Sequence, residues 1–230
     1  MKRFPDILLI IIGLGTILCC SLSATGLFRT KTKRTSRNPS TVTPEIDLLH
    51  SGDIIFRDGK SFISQAFKQF SRKDPRFSHA GIIHIQNGEA YVFHCIGGEG
   101  SKDNRMRKEK LLSFCSSADV NAYAIFRPNL EASKIQAIDS IAGLYFDQGI
   151  EFDSKFDLTE ENKMYCTEMI YNAFKTVLKN ENFIPLTEVA GLSYVSCDNI
   201  FLQPQLNEYY SYSYNNHPGK QTTVHETSFH

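Results

Sequence analysis

Apolar residues recur with a helical period after Cys166. They lie three, four, seven, eight and eleven positions beyond it, as Met169, Ile170, Ala173, Phe174 and Val177. This spacing predicts an amphipathic helix with Cys166 in its first turn. A thiol at a helix start lies near unpaired backbone N–H groups, which predict a lowered pKa. The alternative is that Cys166 is a small buried residue of the core.

Alternating apolar residues on both sides of Asn87-Gly88 predict a β-hairpin over residues 77–96. Counting outward from the two-residue turn pairs Gln86 with Glu89 and, further out, Gly81 with the residue at position 94. His79 and His94 then lie on one face of the hairpin, one diagonal step apart. The pattern therefore predicts that the two imidazoles are within reach of each other.

Weaker patterns complete a predicted domain over residues 43–202. They predict short strands at 54–56 and 120–126 and helices at 61–70 and 130–145. The acidic and aromatic segment 146–157 is interpreted as a structural loop that faces the substrate. Residues 203–230 are polar and lack an apolar period, so they predict a frayed tail.

Residues 1–28 carry the pattern of an export signal. Lys2 and Arg3 precede the apolar run 7–20, and small residues follow it, as in a secretory leader. The uncharged stretch could also span a bilayer, so an uncleaved membrane anchor remains the alternative. Residues 29–42 form a basic polar linker, interpreted as solvated. With a retained anchor, the positive-inside rule would place the following domain in the cytoplasm.

Composition narrows the classes of partner and site. The 25 Lys and Arg residues balance 25 Asp and Glu residues, so no net charge favours nucleic acid. Outside the leader the cysteines are Cys95, Cys115, Cys166 and Cys197. If Cys166 is a free nucleophile, at most one intramolecular disulfide can form. No cysteine or histidine pair has structural-zinc spacing, so we predict no metal site.

The remaining chemistry is that of a cysteine nucleophile. Such a nucleophile needs a base, a group that orients the base, and donors for an oxyanion. Cys166 would attack, His79 would act as the base, and His94 would hold the His79 ring in one tautomer. The backbone N–H of Cys166 would help to bind the oxyanion. Each histidine alone could be structural, but two on one face favour catalysis.

Four ordered segments resemble one known family. They are Gly52–Phe56, Ser78–Ile82, Glu151–Asp157 and Tyr165–Met169. Together they resemble the YiiX/YaeF-like branch of the NlpC/P60 superfamily, over about residues 48–200. The resemblance implies an α+β, circularly permuted papain-like fold. In that fold an antiparallel sheet packs against the helix that bears the catalytic cysteine.

The resemblance also implies site residues. Cys166 would be the nucleophile and His79 the base, with no metal or organic cofactor. Members of this branch often carry a glutamate as the third polar residue, and His94 stands at that place here. Tyr165 matches the pattern and is the predicted substrate-binding residue, with a packed aromatic as the alternative. Glu168 is favourable by its charge in the first helical turn, and Asp53 is predicted to cap a turn.

The implied activity is hydrolysis of an amide or related acyl bond. The expected substrates are peptides or acyl compounds, with peptidoglycan fragments as one candidate. The expected location is the cell envelope, where the protein would be periplasmic or anchored in the membrane. Two alternatives stay open. The same thiol could serve an acyltransferase or a lipid esterase, or the domain could bind ligands without catalysis.

Overall fold

An antiparallel sheet of six strands is the centre of the described chain, which in this computed structural model comprises residues 40–97 and 104–215. The strands are β1 (Ile54–Gly59), β2 (His79–Gln86), β3 (Glu89–His94), β4 (Arg107–Lys110), β5 (Val120–Pro128), β6 (Glu151–Phe152), β7 (Lys163–Met164), β8 (Thr187–Val189), β9 (Leu192–Tyr194) and β10 (Leu206–Ser213). The main sheet has the order β10-β5-β1-β2-β3-β4, and β6-β7 and β8-β9 form two small pairs. The predicted leader lies outside the described residues.

Helices cover one face of this sheet and part of the other. They are α1 (Phe62–Phe67), α2 (Leu111–Phe114), α3 (Ala132–Asp147), α4 (Cys166–Leu178) and α5 (Cys197–Phe201), with 3-10 turns at Ile46–Leu48 and Lys68–Phe70. Among residues 40–97 and 104–215, no helix combines the length and the apolar character needed to cross a bilayer. The antiparallel sheet and the cysteine-bearing helix confirm the predicted α+β fold class.

The hairpin of β2 and β3 has the predicted register. Gln86 lies opposite Glu89 in the ladder. Asn87 and Gly88 both adopt a positive φ, of 53° and 77°, as a tight two-residue turn requires. Because a slip of one residue would move every side chain to the other face, this turn fixes where His94 points.

Successive residues of β2 belong to two different cores. Ala80 packs with the helices α3 and α4, whereas Ile83 packs with Phe114 of α2 on the opposite face. The rings of His79 and His94 also contact Phe114, with centroids 5.7 and 5.2 Å away. The histidines therefore lie on the face of the sheet opposite to α4.

The helix α4 begins at Cys166, as the apolar period predicts. Its N-terminus is closed by Glu168, whose Oε2 accepts the backbone N–H of Tyr165 at 3.1 Å. At the other end Lys179 adopts a left-handed φ of 50°, a common way for a helix to stop. The predicted cap by Asp53 is also present, since its Oδ2 accepts the His50 N–H at 2.9 Å.

The predicted frayed tail is wrong for the residues described there. Leu206–Ser213 form β10, which pairs with β5 and closes one edge of the sheet. Tyr210 is buried, and its ring stacks on Tyr123 with the centroids 6.0 Å apart. Tyrosines suit a half-buried strand because their large rings cover apolar surface. The rest of the predicted tail, from residue 216, lies outside the described residues.

The predicted linker also ends earlier than residue 42. The Ser117 N–H donates to Thr41 Oγ1 at 3.1 Å, and the Tyr123 hydroxyl donates to the Val42 carbonyl at 2.8 Å. These bonds attach the end of the predicted linker to the domain, since a buried tyrosine hydroxyl requires a partner.

Candidate active site

A cleft with aromatic walls leads to Cys166. Its lining includes the rings of Phe67, Phe70, Phe156, Tyr165 and Tyr194. Tyr165, the predicted substrate-binding residue, lines this cleft but is also a packed aromatic. Its ring lies 4.9 Å from that of Phe156, and its hydroxyl accepts the backbone N–H of Val195 at 2.8 Å. Tyr165 therefore supports two residues of the cleft wall, Phe156 through ring contact and Val195 through the hydrogen bond.

Phe156 forms one wall from a short, strained loop. Its φ is 56°, which is unusual for a bulky residue. The buried carboxylate of Asp153 accepts the backbone N–H of Lys155 at 2.8 Å and of Asp157 at 2.6 Å. These two bonds hold the backbone on either side of Phe156. Within segment 146–157 the structure differs in part from the predicted loop, since α3 extends to Asp147 and Glu151–Phe152 form β6. That the segment faces the substrate stays a prediction.

Cys166 is partly exposed, whereas the other cysteines of the described chain are buried; all four are free thiols. Burial of the sulfur raises the pKa of Cys166, contrary to the lowering predicted from its place in the helix. The backbone N–H groups of Ala80, Thr167 and Cys166 itself point at the sulfur and oppose that rise. The resting group is therefore a thiol surrounded by donors that favour its anion.

The two predicted histidines form a direct pair. His79 Nε2 lies 2.9 Å from His94 Nδ1, and the rings are almost perpendicular, at 82°. Burial, followed by the nearby positive charge of Arg57, lowers the pKa of His79 well below 6.5. His79 is therefore neutral at rest and able to accept a proton. The backbone N–H of Ala80 lies near the Cys166 sulfur, which places the sulfur close to the start of β2, the strand that begins at His79.

Gly81 permits the close approach that brings the two histidines together. A Cβ at this position would lie 2.4 Å from Val92 Cγ1 and 2.8 Å from the Phe93 carbonyl. A side chain there would push β3 away from β2. Glycine is therefore required by packing within this part of the hairpin.

Two charged residues next to the histidines were missed by sequence analysis. Glu109 of β4 has its Oε2 3.1 Å from His94 Nε2. Arg57 of β1 lies opposite His79 in the ladder, donates to the Phe114 carbonyl at 3.0 Å and stands 4.3 Å over the Phe114 ring. Glu109 belongs to a segment rich in both charges, which is typical of a solvated surface. The available signal for Arg57 was its place directly after the predicted strand 54–56, which the structure extends to Gly59.

The charge of Glu168 is not favourable in the folded chain, contrary to the expectation from its place in the first helical turn. Its side chain is fully buried, and burial raises its pKa from 4.5 to about 8. Its Oε2 is bonded to the Tyr165 N–H, while Oε1 has no hydrogen-bond partner among the described residues. This carboxyl therefore favours the neutral form in the folded chain, because burial outweighs the hydrogen bond.

Comparisons with known proteins agree with this geometry. The family model described as a permuted papain-like amidase enzyme, YaeF/YiiX, matches residues 48–188, more than half of the chain. The chain belongs to this family. The alignment with one relative in this group of permuted papain-like amidases covers little more than half of that relative's length. The uncharacterized protein YiiX of Escherichia coli K12 is 25% identical over 130 residues, which span 56% of this chain and 58% of YiiX.

A solved structure shares the fold of this permuted papain-like amidase. It is the crystal structure of YiiX from Escherichia coli O157:H7, at 20% identity and a TM-score of 0.56, covering 69% of this chain and 94% of that one. That protein is described as a metalloprotein. Within residues 40–97 and 104–215 of the present chain, no group of three or more His, Cys, Asp or Glu side chains is placed to hold a metal ion.

The family to which the chain belongs is described as one of permuted papain-like amidase enzymes. The matched range begins before β1 and contains β2, β3 and all of α4. It therefore contains Cys166 and both histidines, and the histidine strand precedes the cysteine helix, as expected for the permuted order.

Proposed function

We propose that this amidase cleaves an amide or related acyl bond with Cys166 as nucleophile, His79 as general base and His94 as the residue that orients His79. The observation that carries the proposal is the environment of the thiol. The backbone N–H groups of Ala80, Thr167 and Cys166 lie near its sulfur and favour the thiolate, Ala80 being the residue after His79, and Cys166 lines a cleft open to solvent. Such donors stabilise both a thiolate and an oxyanion.

The reaction starts from a neutral thiol and a neutral imidazole. As the sulfur attacks the acyl carbon, the thiol proton passes to His79 Nδ1, the ring nitrogen that is not bonded to His94. The carbonyl oxygen takes the negative charge, and the N–H of Cys166 donates to it. His79 then protonates the leaving amine, leaving a thioester on Cys166. Water attacks the thioester while His79 accepts its proton, and the acid product and the free thiol are released.

The test compares purified full-length protein with a Cys166→Ala variant on peptidoglycan fragments and on an acyl electrophile library. We expect a covalent adduct at Cys166, located by mass spectrometry, and loss of turnover by at least about a thousandfold in the variant. Cys197→Ala is the matched control, since this buried thiol lines the same cleft. Hydrolysis retained by Cys166→Ala would exclude the proposal, and an unreactive Cys166 would favour a non-catalytic binding domain.

A second candidate uses the same thiol for acyl transfer or for cleavage of a lipid ester. The observation that favours it is the aromatic lining of the cleft, which suits an apolar acyl group better than a charged peptide. Trapped acyl-enzyme separates the two candidates. Faster release by water supports hydrolysis, whereas faster release by an added amine supports transfer.

We further propose that the protein acts in the cell envelope, exported or tethered through residues 1–28. The support is the sequence pattern of that segment, a short basic start followed by an apolar run. The mass of the protein recovered from membrane and periplasmic fractions tests this. An intact leader in the membrane fraction indicates an anchor, a shortened chain in the periplasm indicates cleavage, and recovery from the cytosol alone contradicts both.

A further inference from the structure

We infer that Glu109 is a positioning residue of the site: acting through His94, it fixes the tautomer in which His79 can accept the proton of Cys166. The inference rests on the proposed function and deepens it. It gives this chain four residues in series, Cys166, His79, His94 and Glu109.

The first step of the argument is geometric. Glu109 lies on β4, directly opposite Val92 of β3. Because Val92 and His94 are two residues apart on β3, the side chains of Glu109 and His94 are on the same face of the sheet. Its Oε2 is 3.1 Å from His94 Nε2. The ring N–H is not aligned closely enough to form a full hydrogen bond, and this nitrogen has no other partner among the described residues. His94 is 1% exposed, so water does not replace the carboxylate. Contacts of this kind commonly tighten when substrate binds.

The second step follows the protons along the chain of contacts. A carboxylate only accepts, so His94 must carry its proton on Nε2 and present a bare Nδ1. That bare Nδ1 lies 2.9 Å from His79 Nε2, which must then be the donor. A neutral imidazole with its proton on Nε2 has a bare Nδ1. His79 Nδ1 is thus left free to receive the thiol proton, which is the state that a general base needs.

The third step concerns charge. When His79 accepts the proton it becomes a cation in a buried place, which is costly without a nearby anion. The positive charge of Arg57 opposes a cation at His79, and the charges of Arg57 and Arg107 oppose one at His94. The contact with His94 lowers the pKa of Glu109, so the carboxylate is ionised and supplies a negative charge next to the histidine pair. Its side chain is 32% exposed, so the carboxylate itself remains accessible to solvent.

The experiment uses purified full-length protein and needs no substrate. The rate at which iodoacetamide alkylates Cys166 is followed by mass spectrometry from pH 5 to 10, for the native chain and for Glu109→Gln. We expect Glu109→Gln to slow alkylation at pH 7 by about 10- to 100-fold, as loss of an orienting partner commonly does. Glu89→Gln is the matched control, since Glu89 lies on the same hairpin and pairs with exposed Lys110. It should stay within about twofold of the native rate.

A second background separates positioning from mere structural support. In His94→Glu, a carboxylate contacts His79 directly, so adding Glu109→Gln should change the alkylation rate by less than about threefold. If the loss caused by Glu109→Gln is the same in both backgrounds, Glu109 does not act through His94, and the inference is overturned. A Glu109→Gln rate within twofold of native overturns it as well.

The tautomer can also be read directly. In ¹⁵N-labelled protein the native His94 should show a protonated Nε2 and a bare Nδ1, and Glu109→Gln should populate the other tautomer. A native His94 protonated on Nδ1 contradicts the inference whatever the alkylation rates are. The proposed function fails separately, if native Cys166 reacts no faster than Cys95, Cys115 and Cys197.

Discussion

Replacing Glu168 with glutamine should stabilise the protein at alkaline pH. The carboxyl is fully buried, one of its oxygens has no partner in the described chain, and burial raises its pKa from 4.5 to about 8. Glutamine keeps the carbonyl oxygen that accepts the Tyr165 N–H and cannot ionise. The variant therefore removes the charge and leaves the helix cap in place.

The direction follows from linkage. A carboxyl with a raised pKa binds its proton more tightly in the folded chain than in the unfolded chain. Its contribution to stability is complete below pH 4.5 and is lost as the pH rises through about 8. At about 1.4 kcal/mol for each pH unit, that interval corresponds to at most about 5 kcal/mol of unfolding free energy. Glu168→Gln does not pay this penalty.

The assay is urea unfolding of native protein and Glu168→Gln at pH 5 and at pH 8.5. We expect similar unfolding free energies at pH 5, and a variant more stable by several kcal/mol at pH 8.5. Glu188→Gln, at an exposed position, is the control and should track the native protein at both values. If the difference between Glu168→Gln and native protein is the same at both pH values, Glu168 ionises as an exposed carboxyl does, and the reasoning is refuted.

Two further predictions concern Arg57 and β10. Arg57→Gln should slow alkylation of Cys166 at pH 7 by up to about tenfold, because the guanidinium favours the thiolate. Arg57→Lys is the control and should keep most of the native rate. A native rate in Arg57→Gln would contradict the proposal that Arg57 stabilises the thiolate. Ending the chain after residue 202 should cost several kcal/mol or prevent folding, since Leu206 and Tyr210 leave the core at about 1.5–3 kcal/mol each. Ending it after Asn215 keeps β10 and should leave the melting temperature within a few degrees; equal melting of both truncations would contradict the prediction.

The central geometry could be predicted because two local patterns decide it. Asn87-Gly88 fixes the register of the hairpin, and the register alone brings His79 and His94 together. The apolar period after Cys166 fixes where its helix begins. Both patterns act over fewer than twenty residues, so no knowledge of the rest of the fold is required.

The remaining features depend on contacts between distant segments. Glu109 becomes part of the site only because β4 pairs with β3, and its own neighbours in sequence are those of an exposed strand. Tyr210 is buried only because β10 finds the edge of β5. The pKa of Cys166 depends on how much surrounding protein covers the sulfur, whereas the sequence shows only its place in a helix. Long-range burial overrides local preference in each case.

The loop held by Asp153 has a consequence for how this enzyme could change during evolution. The proposed proton-transfer residues His79 and His94 are on strands of the main sheet, whereas Phe156 lines the cleft from a segment held by the carboxylate of Asp153. Substitutions between residues 154 and 157 could therefore redraw what fits beside the sulfur while the reactive machinery stays untouched. In such an arrangement, mutations can change substrate selectivity without changing the residues that carry out the reaction.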